Sequence, residues 1–165
     1  MFKHDTLHYS IIYFFLCSLL YSCIERQPFT DDNAPLIIDE DEQAVVKGVS
    51  VEGEERNYTF TVTLQSPDTG CEQYADWWEI VDPQFEFIYR RILTHSHVNE
   101  QPFSRSGGPV DIFTDEEVII RGHMNNLGYG ELVFRGSVSD GFFPDTLLTV
   151  VDISGTGPQP SGCEF

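Results

Sequence analysis

The chain has 165 residues, which is enough for one domain rather than two. Its 9 basic residues stand against 27 acidic ones, giving a formal net charge of -18. This balance argues against nucleic-acid binding, which needs Lys and Arg to neutralise phosphates, and against docking onto anionic lipid head groups through surface charge. A partner attracted by charge would be a cation, a metal ion or a basic protein face, although simple solubility also accounts for the acidity.

The first 22 residues have the pattern of a targeting segment. Lys3 and the amino terminus supply a modest positive charge, which Asp5 partly offsets, and an apolar run extends from Tyr9 to Tyr21. This run has the length of a signal-peptide core and is shorter than the roughly 20 apolar residues that a membrane-spanning helix needs. Residues 1–22 are therefore predicted to be a cleaved signal peptide.

The segment ends in Leu20-Tyr21-Ser22-Cys23, which resembles the lipobox of bacterial lipoproteins. The resemblance implies that a diacylglyceryl group alkylates the Cys23 thiol and that cleavage leaves Cys23 as the mature N-terminus. Two or three acyl chains hold a protein to a bilayer far more firmly than one. We therefore expect the chain in a bacterial cell envelope, in the periplasm or on the surface, with the lipid as its only membrane contact. The alternative is an ordinary secretory signal in which Cys23 is incidental.

Residues 23–42 are predicted to form an acidic tether. The segment contains two prolines and a dense acidic set, which consists of Asp31, Asp32, Asp39, Glu40, Asp41 and Glu42. Like charges repel one another and extend such a segment, which would hold the domain away from the membrane. The apolar piece Leu36-Ile37-Ile38 could instead add an edge strand, so that the tether would end sooner.

Residues 43–165 show the period-two alternation of a β-domain. Four apolar side chains from Tyr58 to Leu64 alternate with Asn57 and three threonines, which is typical of a strand buried on one face. The predicted strands are 44–51, 57–64, 74–81, 85–92, 110–113, 117–123, 131–139 and 146–153. Turn residues such as Asp140-Gly141 separate them. About seven or eight short strands at regular spacing predict an all-β, antiparallel β-sandwich.

This pattern resembles the immunoglobulin and fibronectin type III architecture, and no more specific family is identified. Trp77 or Trp78 would suit the core aromatic residue of a central strand. Cys71 departs from the resemblance, because it precedes Trp77 too closely for the Cys–Trp–Cys spacing of immunoglobulin domains and follows a turn. The sandwich is expected and its strand order is left open. Such a fold hosts many functions and implies none.

The cysteines divide into two groups. Cys17 lies in the segment predicted to be removed and Cys23 would carry lipid, which leaves Cys71 and Cys163. An even pair in an oxidising compartment predicts a disulfide, and two cysteines so far apart do not have the spacing of a zinc ribbon. The bridge would tie the C-terminal tail to the body of the domain.

His95 and His97 form the most specific local motif. Residues i and i+2 of a strand share a face, so both imidazoles would project together and could bind Zn²⁺ or Cu²⁺. His123 could join them as a third ligand, with Glu100 or Asp76 as a fourth, and Met124 beside it would favour copper. The alternative is that these histidines, which lie near strand ends, bond to backbone or solvent.

Arginines concentrate around the polar segment of residues 90–109, which contains His95 and His97. Arg91 and Arg105 lie near its two ends, with Arg90 and Arg121 close by, so that a carboxylate or phosphate ligand could bind there. Backbone N–H groups of the Gly107-Gly108 pair could assist as an anion nest. The simpler alternative pairs these arginines internally with nearby carboxylates, for which the candidates are Asp82, Glu86 and Glu100.

Trp77 and Trp78 are adjacent, so in a regular strand they must point to opposite faces. One of them belongs to the core. The other is either covered by a loop or exposed, where it could stack on a sugar or anchor a protein partner. We take Trp78 as the candidate for ligand contact.

No catalytic signature is present: the sequence contains no nucleophile elbow, no His-Glu-X-X-His motif and no EF-hand loop. The expectation is therefore a non-enzymatic, lipid-anchored binding or accessory module of the envelope, with a protein or carbohydrate partner and no certain cofactor. The alternative is a Zn- or Cu-binding protein that uses His95, His97 and His123.

Overall fold

The computed structural model describes residues 42–164. The predicted signal peptide, Cys23 and the predicted tether up to residue 41 lie outside the described residues. Between residues 42 and 164 no helix is long and apolar enough to cross a membrane.

The described chain consists of nine strands joined by turns and loops. The strands are β1 (Val45–Glu54), β2 (Asn57–Gln65), β3 (Ala75–Val81), β4 (Phe87–Ile92), β5 (Phe103–Val110), β6 (Val118–Met124), β7 (Gly128–Tyr129), β8 (Leu132–Ser137) and β9 (Gly141–Thr146). A three-stranded sheet has the order β1-β2-β5. A six-stranded sheet has the order β4-β3-β6-β8-β9, with β7 paired to β6. All pairings are antiparallel. The all-β sandwich predicted from the alternation is confirmed.

The main core lies between the two sheets. The four apolar side chains of β2 from Tyr58 to Leu64 are buried, whereas Asn57 and Thr59 are exposed. Ile80 of β3 and Ile120 of β6 pack into the same cluster from the larger sheet. Each apolar side chain of this size contributes about 1.5–3 kcal/mol when it is buried, so the alternation fixes which face of a strand turns inward.

Two predicted strands were wrong. Residues 111–113 and 147–153 form no strand, whereas the polar segment Phe103–Val110 is β5 and the turn-like segment Gly141–Thr146 is β9. Both observed strands are sheet edges with one hydrogen-bonded neighbour each, where small polar residues and proline are tolerated because half of the backbone faces outward.

A C-terminal strap, which we define as residues 147–164, covers the outer face of the larger sheet. Leu147 and Ile153 of the strap pack with Val81, Ile119 and Val133 in a second apolar cluster. This layer is the reason why every residue of β3 and β6 is buried on both faces.

The far end of the strap is fastened by a disulfide. Cys71 and Cys163 are bonded, with their Cα atoms 5.6 Å apart, which confirms the predicted pair. The backbone N–H of Glu164 also donates a hydrogen bond to the carbonyl oxygen of Thr94, at 2.6 Å.

Trp77 and Trp78 lie on opposite faces of β3. Trp78 is fully buried between the sheets, in the place expected for a core aromatic residue. Trp77 is on the outer face and is only 3% exposed, because Arg90, His123 and Tyr129 pack against its ring. The prediction that Trp78 contacts a ligand was therefore wrong: the side chain that alternation turns outward is Trp77.

Candidate functional site

Three charged side chains are fully buried beneath the strap. Glu79 of β3 lies opposite Arg90 of β4 and Arg121 of β6 in the cross-strand register. Arg90 donates to Glu79 Oε2 from Nε at 2.9 Å and from Nη2 at 2.6 Å, and Arg121 Nε donates to Oε1 at 2.9 Å. All three side chains are 0% exposed. The cluster therefore holds one net positive charge away from water.

Carbonyl groups of the strap complete the hydrogen bonds of this cluster. Arg90 Nη1 donates to the carbonyl oxygens of Ser154 and Pro158, at 3.1 Å each, and Arg121 Nη1 donates to that of Val151 at 2.7 Å. Arg121 Nη2 lies 2.8 Å from Glu79 Oε1 without the alignment of a hydrogen bond. The strap thus lies directly over the cluster and supplies the acceptors that two buried guanidinium groups require.

Aromatic rings flank both guanidinium groups. That of Arg90 lies 4.1 Å from the centre of the Trp77 ring, and that of Arg121 lies 3.7 Å from the centre of the Tyr129 ring. Burial raises the pKa of the Tyr129 hydroxyl, and the negative charge of Glu79 raises it further. Arg90 and Arg121 therefore form internal ion pairs, as the internal-pairing alternative expected. Their carboxylate partner is Glu79, and not Asp82 or Glu86.

His123 is held in the same outer layer. Its Nδ1 lies 2.6 Å from Asp76 Oδ1, and its ring stacks on Trp77 with the centres 3.7 Å apart. Tyr129 meets the imidazole edge to face at 4.7 Å. This pair joins the start of β3 to the end of β6, so His123 has a structural partner of its own.

His95 and His97 lie in a different setting, the loop of residues 93–102 between β4 and β5. Asp68 holds this loop: its Oδ2 accepts a hydrogen bond from the backbone N–H of His97 at 2.7 Å, and its Oδ1 accepts from Ser66 Oγ at 2.6 Å and from the Ala75 N–H at 3.0 Å. Gln101 adds a bond from its Nε2 to the His97 carbonyl oxygen at 3.2 Å. The loop therefore presents its side chains from a fixed backbone.

The imidazole of His97 is buried without a hydrogen bond. It is 2% exposed and stacks on Phe103 with ring centres 3.7 Å apart, and the ring of His95 lies 4.5 Å away. Neither Nδ1 nor Nε2 has a hydrogen-bond partner, and Nδ1 is 3.7 Å from Asp68 Oδ2. Burial lowers the pKa of His97 to about 4, and the positive charge of Arg105 lowers it as well. The side chain is thus a neutral imidazole with one free donor and one free acceptor.

Two cavities adjoin His95 and His97. The smaller has a volume of about 40 Å³ and is also lined by Arg91, Thr94 and Arg105. The other is an open depression of about 290 Å³ that continues along the loop from His95 to Glu100. We call the group formed by Arg91, His95, His97 and Arg105 the loop site. The structure brings together these four of the predicted site residues.

The two arginines of the loop site are positioned differently. Arg91 joins the edges of the two sheets, because its Nε donates to the Ser106 carbonyl oxygen at 2.9 Å and its Nη1 donates to that of Ile92 at 2.7 Å. Arg105 forms an ion pair with Glu100 at 2.8 Å, as the internal-pairing alternative expected of Glu100.

The Gly107-Gly108 pair does not form the predicted anion nest. Both glycines lie in β5, and a Cβ on Gly107 would come within 2.7 Å of the Tyr89 hydroxyl and 3.0 Å of the Trp78 ring. The position lacks a side chain because these two aromatic groups occupy the space.

The expected convergence of His95, His97 and His123 on a metal ion is not observed. Among residues 42–164 no group of three His, Cys, Asp or Glu side chains is placed to hold a metal ion. His123 is engaged with Asp76, and the His97 ring is stacked on Phe103. Met124 is a fully buried core residue. The three histidines therefore belong to two separate clusters.

His97 should make the domain less stable in mild acid. Its pKa is about 4 in the folded protein against 6.5 for a free side chain, so only the neutral form suits the fold. The stability that the neutral form of His97 contributes is complete above about pH 6.5 and is lost as the pH falls to about 4, by roughly 3 kcal/mol in total. His97→Phe, which keeps the stack on Phe103, should remove this loss. Urea unfolding at a series of pH values measures it.

The difference in unfolding free energy between wild type and His97→Phe should be constant above about pH 6.5 and should grow below it. His95→Phe, at the exposed neighbour, is the control and should keep the acid-side loss. Parallel profiles for wild type and His97→Phe would contradict a neutral, buried His97.

Comparison with known proteins identifies a partial relative. No protein-family model matches the chain, and no solved structure matches it. A protein of Halomicrobium mukohataei is 37% identical to it over 75 residues. Its name is "Putative lipoprotein". The match covers 46% of this chain and 37% of the relative, so the chain spans little more than a third of that protein's length.

Proposed function

We propose that this chain is a lipid-anchored binding module of the cell envelope, without catalytic activity, that binds its ligand at the loop site. The lipobox-like Leu20-Tyr21-Ser22-Cys23 and the name of the relative from Halomicrobium mukohataei support the anchor. The Cys71–Cys163 disulfide supports an oxidising compartment, where such bonds persist. The acidic residues from Asp31 to Glu42 would space the domain from the membrane.

The observation that carries the binding role is the His97 imidazole. A buried polar group without a partner costs about 1–3 kcal/mol, and an apolar residue of the same shape would fill this place without that cost. An unpartnered polar group that also lies beside two cavities departs from the packing of an ordinary core, as functional sites are expected to do. A ligand that pairs with the imidazole nitrogens would account for the residue.

The groups at the loop site suit binding better than catalysis. Two guanidinium groups and two imidazoles line the smaller cavity. Among the hydrogen bonds of residues 42–164, no hydroxyl or thiol is bonded to either imidazole ring, so no nucleophile and base are paired there. Fixed hydrogen-bond groups around a small concave surface are the general features of a ligand site.

The anchor is tested by lipid labelling in a bacterial host. We expect the wild-type chain to incorporate labelled palmitate and to partition into the detergent phase, and we expect Cys23→Ser to lose both properties, because the thioether forms at that sulfur. Cys17→Ser is the matched control within the same segment and should keep the label. Equal labelling of Cys23→Ser and the wild type would contradict the anchor.

The binding role is tested by a thermal-shift screen of the full chain in a nonionic detergent. Solutes that represent neutral sugars, cations and anions are compared, since a ligand that binds only the folded state raises its melting temperature. A supporting hit stabilises the wild type and Arg56→Gln, whose guanidinium is exposed and pairs with Asp111, but does not stabilise His97→Phe. Hits that stabilise all three proteins equally would contradict the loop site.

A further inference from the structure

Arg91 differs from the other arginines that the structure describes. The remaining five lie within ion-pair distance of a carboxylate, and these are Arg56, Arg90, Arg105, Arg121 and Arg135. Arg91 has no such partner within residues 42–164, although the whole chain has 27 acidic residues and 9 basic ones. A cation without a carboxylate partner is a position where the charge of an anion from outside would be stabilised locally.

The bonds that Arg91 does make leave one side of its guanidinium group open. Nε and Nη1 donate to backbone carbonyl oxygens, which hold the group in place without neutralising it. Nη2 has no acceptor among the described residues. Arg91 and His97 both line the small cavity, so the unpaired cation and the unpartnered imidazole adjoin one site.

We propose that the loop site binds the carboxylate group of a small ligand, with Arg91 as its counter-ion and His97 and His95 as hydrogen-bond partners. This inference rests on the proposed binding function and names the chemical class of the ligand. A planar carboxylate accepts hydrogen bonds from a guanidinium group in a geometry that both groups favour. The rest of the ligand would lie in the open depression along residues 95–100.

The charges at the site favour a carboxylate over a phosphate or a metal ion. Arg105 is already paired with Glu100, so Arg91 is the unpaired cation of the site, and its single charge matches a monoanion. The Asp68 carboxylate, 3.7 Å from His97 Nδ1, adds a negative charge beside the imidazole and disfavours a dianion further. A phosphate dianion would need further cations against a chain of net charge -18. A metal cation would be repelled by the two guanidinium groups that line the same cavity.

The test uses the full chain in nonionic detergent, with acetate as the probe. Acetate at a series of millimolar concentrations should raise the melting temperature in a saturable way, whereas acetamide, its neutral analogue, and sodium chloride at equal ionic strength should not. Arg91→Gln and His97→Phe should each weaken the apparent affinity for acetate by roughly tenfold or more, since hydrogen bonds to charged groups contribute on that scale.

Arg56→Gln is the matched control, because it removes an exposed arginine elsewhere on the domain and should leave acetate binding unchanged. Arg91 also bonds to the Ser106 carbonyl oxygen, so Arg91→Gln is expected to lower the melting temperature by itself. The readout is therefore the increment caused by acetate. His97→Phe, which keeps Arg91, provides the second test if Arg91→Gln does not fold.

An equal acetate increment in wild type, Arg91→Gln and His97→Phe would overturn the carboxylate assignment, and so would no increment in any of them. If phosphate stabilises the protein through Arg91 at lower concentration than acetate, the assignment is overturned while a binding function stands. If neutral sugars give the only His97-dependent hit in the screen, the same conclusion follows. These outcomes distinguish a wrong ligand class from the absence of a binding function.

Discussion

Glu79→Gln should destabilise the domain by about 3–5 kcal/mol, because it leaves two buried guanidinium groups without a counter-charge. The side chains of Glu79, Arg90 and Arg121 are all 0% exposed, so water cannot replace the lost carboxylate. Domains of this size are stable by about 5–15 kcal/mol, which means that one substitution removes a large part of the total. Urea unfolding monitored by circular dichroism measures the change.

Glu117→Gln is the matched control for this prediction. Glu117 also pairs with an arginine across the larger sheet, Arg135 at 3.1 Å, but its side chain is 55% exposed. Exposed ion pairs contribute about 0–1 kcal/mol, so the two glutamine variants should differ by several-fold in their effect. A loss for Glu79→Gln no greater than that for Glu117→Gln would contradict the argument.

A combined replacement separates charge from packing. Glu79→Leu with Arg90→Met and Arg121→Met removes all three charges at similar volume, and such exchanges are often neutral or stabilising. The triple variant should therefore be more stable than Glu79→Gln alone, although it forfeits the bonds to the strap carbonyls. If the triple variant is less stable than Glu79→Gln, the hydrogen bonds to the strap carbonyls contribute more to stability than the burial of the charges costs.

The fold could be predicted where one face of a strand packs against the other sheet. In β2 the alternation from Tyr58 to Leu64 is strict, and burial follows it residue by residue. In β5 the same period is carried by small residues: Ser104 and Ser106 face outward and bond to Thr63 and Thr61. A scale of hydrophobicity does not register a strand of this kind, so its residues resembled a loop.

The strand predicted over the apolar segment 147–153 was wrong for a different reason. Leu147 and Ile153 are apolar because they pack on a sheet face, and not because the segment pairs in a sheet, whereas Leu148 and Val151 are exposed. Covering and pairing leave similar composition in a short segment, since both bury some of its apolar side chains.

The sequence signal that was missed is the presence of Glu79 and Arg121 in otherwise apolar strands. A charge in a strand that is buried on both faces requires a partner on the next strand. Both side chains face the strap, and the two residues are cross-strand partners.

The loop site was predictable in part. His95, His97, Arg91 and Arg105 are close in sequence and flank one turn of the chain, so their proximity followed from local order. His123 is distant in sequence, and its position depends on the register of β6 against β3, where Trp77 is its cross-strand partner. Asp68, which fixes the loop backbone, could not be selected among so many acidic residues because its role depends on long-range hydrogen bonds.

Removing the Cys71–Cys163 disulfide should lower the free energy of unfolding by about 2–5 kcal/mol, because the bond closes a long loop and restricts the unfolded chain. The two cysteines are 92 positions apart. The double variant Cys71→Ser/Cys163→Ser should match the wild type treated with a reductant, and the reductant should have no effect on the variant. Equal stability of the oxidised wild type and the double variant would contradict the prediction.

The loss of stability in the double variant should appear first in the strap. The disulfide fastens the far end of the strap, and the carbonyl acceptors for Arg90 and Arg121 lie along its length. Hydrogen exchange read by mass spectrometry distinguishes local release from global unfolding, because each region reports its own opening free energy. We expect peptides from the strap to exchange faster in the double variant, while peptides from β2, between the sheet neighbours β1 and β5, keep their protection. Loss of protection in both regions together would mean that the strap and the sandwich unfold as one cooperative unit, so that the strap is part of the core and not a separable cover over the Glu79 cluster.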